Sequence, residues 1–357
     1  MKRLALLLGS LLVVSAAASA KEVVPAPVVV EEAPVQIVEK EVIVYRDKEE
    51  GFRPNGYVDL QYRYYGQTEG QDSVWNKNNN YSRIQLQGQI NMTEKQSLEY
   101  RVRAYNSLDE HSDSVVTPVG YKGGDTETRL RYFYDHGLVG DSKVDLTSRV
   151  HYNNTDGDQE LEYQARFDFA EYLFNNDFIQ TTSFILAPKY GYGWGDGNGA
   201  DYDNRIGADF YSTYTLPWGF SAEFNLYATQ HFYGEDQAFD GGRKLEDKNF
   251  TLDMEAYIYN TTNLYTNGNY SVDFGFEGGY DAYNWSQEKQ FGSTERDNAN
   301  YSLYALPYIQ LNYQATEFVT VYAAVGAEYR DWTVSNQNSA SHWRWQPTAW
   351  AGFKTTF

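Results

Sequence analysis

The chain has 357 residues, a formal net charge of -20 and no cysteine. So acidic a balance argues against nucleic-acid backbones as partners, and the missing thiols exclude disulfides and thiolate metal sites. Its 33 Tyr, 19 Phe and 8 Trp stand against a mean hydropathy of -0.64, so aromatic residues abound without the aliphatic runs of a soluble α/β core.

Residues 1–20, MKRLALLLGSLLVVSAAASA, set Lys2 and Arg3 before an apolar run that ends in small residues at Ala18 and Ala20. This is the layout of a secretory signal peptide, with cleavage expected after Ala20. Loss of Lys2 and Arg3 takes the net charge from -20 to -22. Residues 21–50 are rich in Val, Pro and Glu, and Pro25, Pro27 and Pro34 forbid a continuous helix or an interior strand there. An extended periplasmic tether is expected. Beyond the leader no stretch reaches the roughly 18 apolar residues of a membrane helix.

From residue 51 to 357 apolar and polar residues take turns, the period of a strand with two unlike faces. In GYVDLQYRYYG, Val58, Leu60, Tyr62 and Tyr64 share one face, and Asp59, Gln61 and Arg63 the other. YSRIQLQGQI and SLEYRVRAY repeat the pattern. Further strands are expected near 127–135, 143–152, 160–169, 178–187, 204–214, 220–231, 249–259, 269–280, 301–313, 318–330 and 343–357. The total is about 14, with 12 to 16 compatible, each long enough to cross a bilayer at a tilt. Odd-numbered connectors are long and polar, such as QTEGQDSVWNKNNN, NNTDGDQ, PKYGYGWGDGNGADYD and FYGEDQAFDGGRKLED, while even ones such as LPWG and QATE are tight. That asymmetry predicts an all-β transmembrane antiparallel barrel in the bacterial outer membrane, with short periplasmic turns and longer outside loops. The final stretch, WRWQPTAWAGFKTTF, alternates up to Phe357. It reads as the closing strand, and Phe353 and Phe357 fit a signal for the outer-membrane assembly machinery.

The Val/Pro/Glu segment followed by a tyrosine-rich first strand, KEVVPAPVVVEEAPVQIVEKEVIVYRDKEEGFRPNGYVDLQYRYYG, resembles the FomA-type major porins of fusobacterial outer membranes. The resemblance implies a water-filled channel for passive diffusion of small hydrophilic solutes and ions, a homotrimer, and an adhesin role for the outside loops. No PEFGG-like segment, the mark of the inward-folded loop in enterobacterial porins, is present.

If the polar face of each strand looks inward, the early strands line a pore with Arg63, Arg83, Arg101, Arg103, Arg129, Arg131, Arg149 and Arg166. Later strands line it with Asp209, Glu223, Asp253, Glu255, Asp273, Glu277 and Glu328. In a closed ring the two sets oppose one another, either as a transverse field or as charges that keep a wide lumen wet. Glu99 with Arg101, and Glu162 with Arg166, are candidate neutralising pairs. An alternative within transport is a channel preferring acidic oligosaccharides along the arginines. Outer-membrane lipid is the expected surroundings.

No catalysis is expected, because none of His111, His136, His151, His231 and His342 sits in a hydrolase-like segment. No cofactor or metal is expected either. Asp196, Asn198, Asp201 and Asp203 in GYGWGDGNGADYDN miss the ligand spacing of an EF-hand.

Overall fold

A computed structural model describes residues 51–69, 80–107, 126–195, 201–239, 242–288, 303–333 and 340–357. The leader and the Val/Pro/Glu segment lie outside the described residues. Alternating residues extend the chain into fourteen strands. In order they are β1 (Asn55–Tyr65), β2 (Tyr81–Asn91), β3 (Gln96–Ser107), β4 (Thr126–Leu138), β5 (Asp145–Thr155), β6 (Asp158–Asp168) and β7 (Gln180–Trp194). Then follow β8 (Tyr202–Thr215), β9 (Phe220–Phe239), β10 (Lys244–Asn267), β11 (Tyr270–Ser286), β12 (Leu303–Gln314), β13 (Val319–Thr333) and β14 (Ala340–Thr356). Each pairs antiparallel with its sequence neighbours, and β14 pairs with β1 to close the barrel.

The usual polarity of a protein is inverted. Side chains on the outward face are aliphatic and aromatic, and Ile206 and Val325 are 55% and 64% exposed. The largest fully buried side chains are instead Gln164, Gln346, Glu127, Asp209 and Ser212. Core glutamines beside exposed valines are unfavourable in water. Each face suits only one surrounding, hydrocarbon outside and water within, and closure leaves no unpaired sheet edge in lipid. The chain is therefore a multi-pass protein of the bacterial outer membrane, where closed antiparallel barrels with an even strand count reside.

Several connectors depart from expectation. NNTDGDQ, read as a long loop, is almost all strand. β5 and β6 run into it and turn on Asp156 (φ 51°) and Gly157 (φ 100°), the positive-φ pair that suits a two-residue hairpin. Residues 232–239 and 244–247, also read as loop, continue the β9–β10 ladder, with pairs such as Leu245 with Ala238. PKYGYGWGDGNGADYD likewise gives its first half to β7 and its end to β8. Polar residues in these stretches look like loop because a ladder that has left the hydrocarbon needs no apolar face.

Large rings are seated over glycines. Tyr308 lies across Gly275 and Tyr322 across Gly352, where an added Cβ would collide with either ring. These joints lock β11 to β12 and β13 to β14 from inside.

Candidate functional site

Register decides which side chains meet. Arg63 stands opposite Arg83, Arg101 opposite Arg129, Arg131 opposite Glu99 and His151, and Arg103 opposite Glu127. Arg149 stands opposite Gln164, and Arg166 opposite Thr147. On the later strands Asp209 and Asp253 both flank Tyr227, Glu255 faces Asn225 and Glu223 faces Tyr257. Asp273 faces Gln310, Glu277 faces Leu306, and Glu328 faces Gln346. Because side chains alternate, every one of these residues shares the inward face with buried Gln164 and Gln346. Phe353 takes the opposite, outward face, between Leu60 and Val321, and Phe357 is 39% exposed.

On the basic side the pairs differ from those expected within one strand. Glu127 is gripped by Arg101 and lies 3.5 Å from Arg103, which also donates from Nε to Gln85 Oε1 at 2.6 Å. Glu162 takes Arg149 at 2.7 Å and Lys189 at 3.7 Å instead of Arg166. Glu99 faces Arg131 at 3.9 Å instead of Arg101. The pairs cross between strands, directly for Arg131 with Glu99 and Arg103 with Glu127, and diagonally for Arg101 with Glu127 and Arg149 with Glu162, within reach of long side chains. Arg83, Arg129 and Arg166 form no ion pair among the described residues.

Several charged groups escaped the sequence reading, among them Arg330 at the end of a predicted strand, which pairs with Glu328. Glu127 and Glu160 stand on predicted strands. Lys189 and Asp203 fell in a segment read as loop, and Arg205 stands at the start of a strand beside it. Lys189 Nζ is 2.7 Å from Asp209, and Arg205 joins Asp203 and Glu160, both at 2.5 Å. A usable signal was present, since Tyr190, Tyr192 and Trp194 alternate with Lys189, Gly191 and Gly193.

Much of the acidic side is held differently, by neutral donors. Tyr227 donates to Glu255 at 3.0 Å, Asn225 to Glu223 at 2.6 Å and Tyr304 to Glu277 at 2.6 Å. Asn263 and Asn312 donate to Asp273 at 2.7 and 2.6 Å. Glu223, Asp273 and Glu277 form no ion pair among the described residues. A phenol or an amide orients a carboxylate without cancelling its charge. Both walls are nonetheless neutralised in part, the acidic one where Lys189 meets Asp209 and Arg330 meets Glu328.

The inner face is also divided by shape. Around the closing seam it is paved with rings. Tyr65 stacks on Tyr81 at 4.3 Å, and Arg63 lies between Tyr65 and Trp350, 4.7 and 4.5 Å from their centres. Arg63 Nε also donates to Thr348 Oγ1 at 3.1 Å. Opposite, a cavity of about 690 Å³ is lined from β3 to β10 by both walls, among them Arg131, Arg166, Glu223, Asp253 and Glu255. Arg131 on β4 and Glu255 on β10 stand six strands apart in a ring of fourteen, nearly opposite.

His231 braces three strands beside this cavity. Its Nδ1 is 2.8 Å from Asp203 Oδ2 and its Nε2 is 3.0 Å from Thr251 Oγ1. Asp196 and Asn198 of the acidic glycine segment, and His111, lie outside the described residues.

No protein-family model matches the chain, and no curated protein matches it. Solved structures similar to it in fold include the outer membrane channel DcaP of Acinetobacter baumannii. That match has 10% identity over 85% of this chain and 96% of that one, with a TM-score of 0.37. The anion-selective porin from Comamonas acidovorans matches at 9% identity over 85% and 99%, with a TM-score of 0.33. Salmonella typhi OmpF, solved with daunomycin, matches at 10% over 86% and 98%, with a TM-score of 0.32. Scores this low carry no argument about function.

Proposed function

We propose that the protein is a porin, a water-filled channel for passive diffusion of small hydrophilic solutes and ions across the outer membrane. One observation carries this reading: a closed barrel whose inward face is charged and whose cavity touches both an arginine wall and a carboxylate wall. Fixed charges of both signs hold water in the lumen and set ion preference. The eight arginines and seven acids expected from the sequence line that path in this proposal. The resemblance of residues 21–66 to FomA-type porins supports the same reading, with the Val/Pro/Glu segment as a periplasmic tether. Phe353 and Phe357 are proposed as contacts for the assembly machinery.

Planar bilayers test it. The protein should give stepwise conductance, and Arg83→Gln, Arg129→Gln and Arg131→Gln together should shift the zero-current potential in a salt gradient toward the cation side. These three are chosen because Arg101 and Arg103 are committed to buried Glu127, whose loss of partners would disturb the fold. Absence of steps would reject the channel, and an unmoved potential would reject the arginines as its lining. Saturable block by an acidic oligosaccharide would replace passive diffusion with a substrate-preferring channel.

A further inference from the structure

Guanidiniums gather on one side of the cavity without enough acid to balance them. Arg131 on β4, Arg149 on β5 and Arg166 on β6 occupy three successive strands and line the space together with His151. Arg149 and Arg166 approach the same ring, Tyr211, at 5.9 and 4.5 Å from its centre, so two like charges are held side by side. Such neighbours repel. Glu162 answers Arg149 at 2.7 Å but is shared with Lys189 at 3.7 Å. Arg131 reaches Glu99 only at 3.9 Å. Arg166 donates to the neutral Gln164 Oε1 at 2.9 Å, and no carboxylate among the described residues pairs with it. Hydrogen-bonding capacity is left over as well as charge. Nε of Arg149, a residue only 5% exposed, Nε of Arg131 and Nε2 of His151 are all buried without a hydrogen-bond partner among the described residues. His151 stands directly opposite Arg131 in the β4–β5 register. Three unpartnered nitrogens on adjacent strands are unusual in a protein wall, where buried polar atoms are nearly always satisfied. The Arg131 side chain is 27% exposed, so a solute in the cavity can reach this cluster.

We propose that this arginine cluster binds a phosphate group, as inorganic phosphate or as the head of a small phosphate monoester, during passage through the pore. The proposal rests on the porin reading above. A phosphate brings nearly two negative charges at neutral pH and several strong acceptor oxygens. Guanidinium forks bind such oxygens through paired N–H bonds, a geometry that a compact ammonium does not offer. Arg131 and Arg166 supply the uncompensated charge, and Arg149 and His151 lie on the strand between them. A carboxylate or a chloride ion carries one charge and satisfies fewer of these donors. Glu223, on the far side of the cavity, repels an anion and leaves the arginine side as its place. One phosphate suffices here, whereas the oligosaccharide channel needs a chain of charges spread along the arginines.

Conductance of the full chain in planar bilayers is recorded in potassium chloride at constant neutral pH and ionic strength while inorganic phosphate, methyl phosphate or acetate replaces chloride. Phosphate should reduce the chloride current saturably, with a half-effect at about one-tenth of the concentration that acetate needs. Block by both phosphates means that the site takes the group free or esterified, and block by inorganic phosphate alone means that it takes the free ion. Either result supports the site. Arg131→Gln with Arg166→Gln should raise the half-effect about tenfold while conductance steps persist. Arg166→Lys, which keeps the charge and loses the fork, should raise it severalfold, and this milder variant keeps the test open if the double one does not fold. Phosphate and acetate acting alike, or a half-effect that neither variant moves, overturns the proposal while leaving the pore. Absence of conductance steps in the unmodified protein overturns the pore and the proposal with it.

Discussion

Gln164, with no exposed surface, shows how single side chains hold the wall of this barrel. Its amide nitrogen donates to Asp209 Oδ2 at 2.6 Å and to Glu162 Oε1 at 3.0 Å, and its oxygen accepts from Arg166. Asp209 in turn holds Lys189 and accepts from the Tyr211 hydroxyl at 2.9 Å. Buried charges are tolerated here because each has an opposite charge and neutral donors around it. Removing one partner is therefore costly. Asp209→Ala should lower stability by about 3 kcal/mol by removing the nearer partner of the buried Lys189 ammonium and leaving it Glu162 at 3.7 Å. Adding Lys189→Met should restore most of that loss, because an apolar isostere needs no counter-ion. Urea titrations of the two variants in lipid vesicles check both statements. Failure of the second substitution to rescue the first would mean that the pair is not the source of the stability.

At the scale of strands, the ring-over-glycine joints make a sharper demand than hydrophobic pattern alone. Gly275→Ala places a methyl group against the Tyr308 ring and should cost about 1–3 kcal/mol by overpacking. Tyr308→Leu in the same chain should recover part of it, and thermal unfolding followed by gel mobility reads both. The strands themselves were legible because period two is local: each of the predicted segments carries its own evidence in a few residues. Their ends were not. β9 and β10 run for 20 and 24 residues, well past the roughly 9–11 that cross a bilayer, and beyond the hydrocarbon nothing obliges one face to stay apolar. The site was legible to the same depth. Alternation told which residues share the inward face, but not that Glu162 meets Arg149 or that Glu127 meets Arg101. Those meetings depend on register between neighbouring strands, which no single strand encodes.

For the whole molecule, the inverted polarity is the property most open to challenge. Val325 stands mid-strand on the outward face of β13, 64% exposed. Val325→Arg should destabilise the membrane-inserted barrel by about 2–4 kcal/mol, measured by reversible unfolding from lipid vesicles. A neutral effect would mean that this surface does not meet hydrocarbon. Closure of the ring has a consequence for how the protein comes to exist. Arg63 is cradled by Trp350 and Thr348, and Asp59 accepts from the Tyr322 hydroxyl at 2.6 Å, groups more than 250 positions away along the chain. Contacts between such distant residues wait until the intervening chain has been ordered. The side chains of the first strand therefore depend for their partners on the far end of the chain, and the seam they form carries the largest closure cost of any joint in the ring.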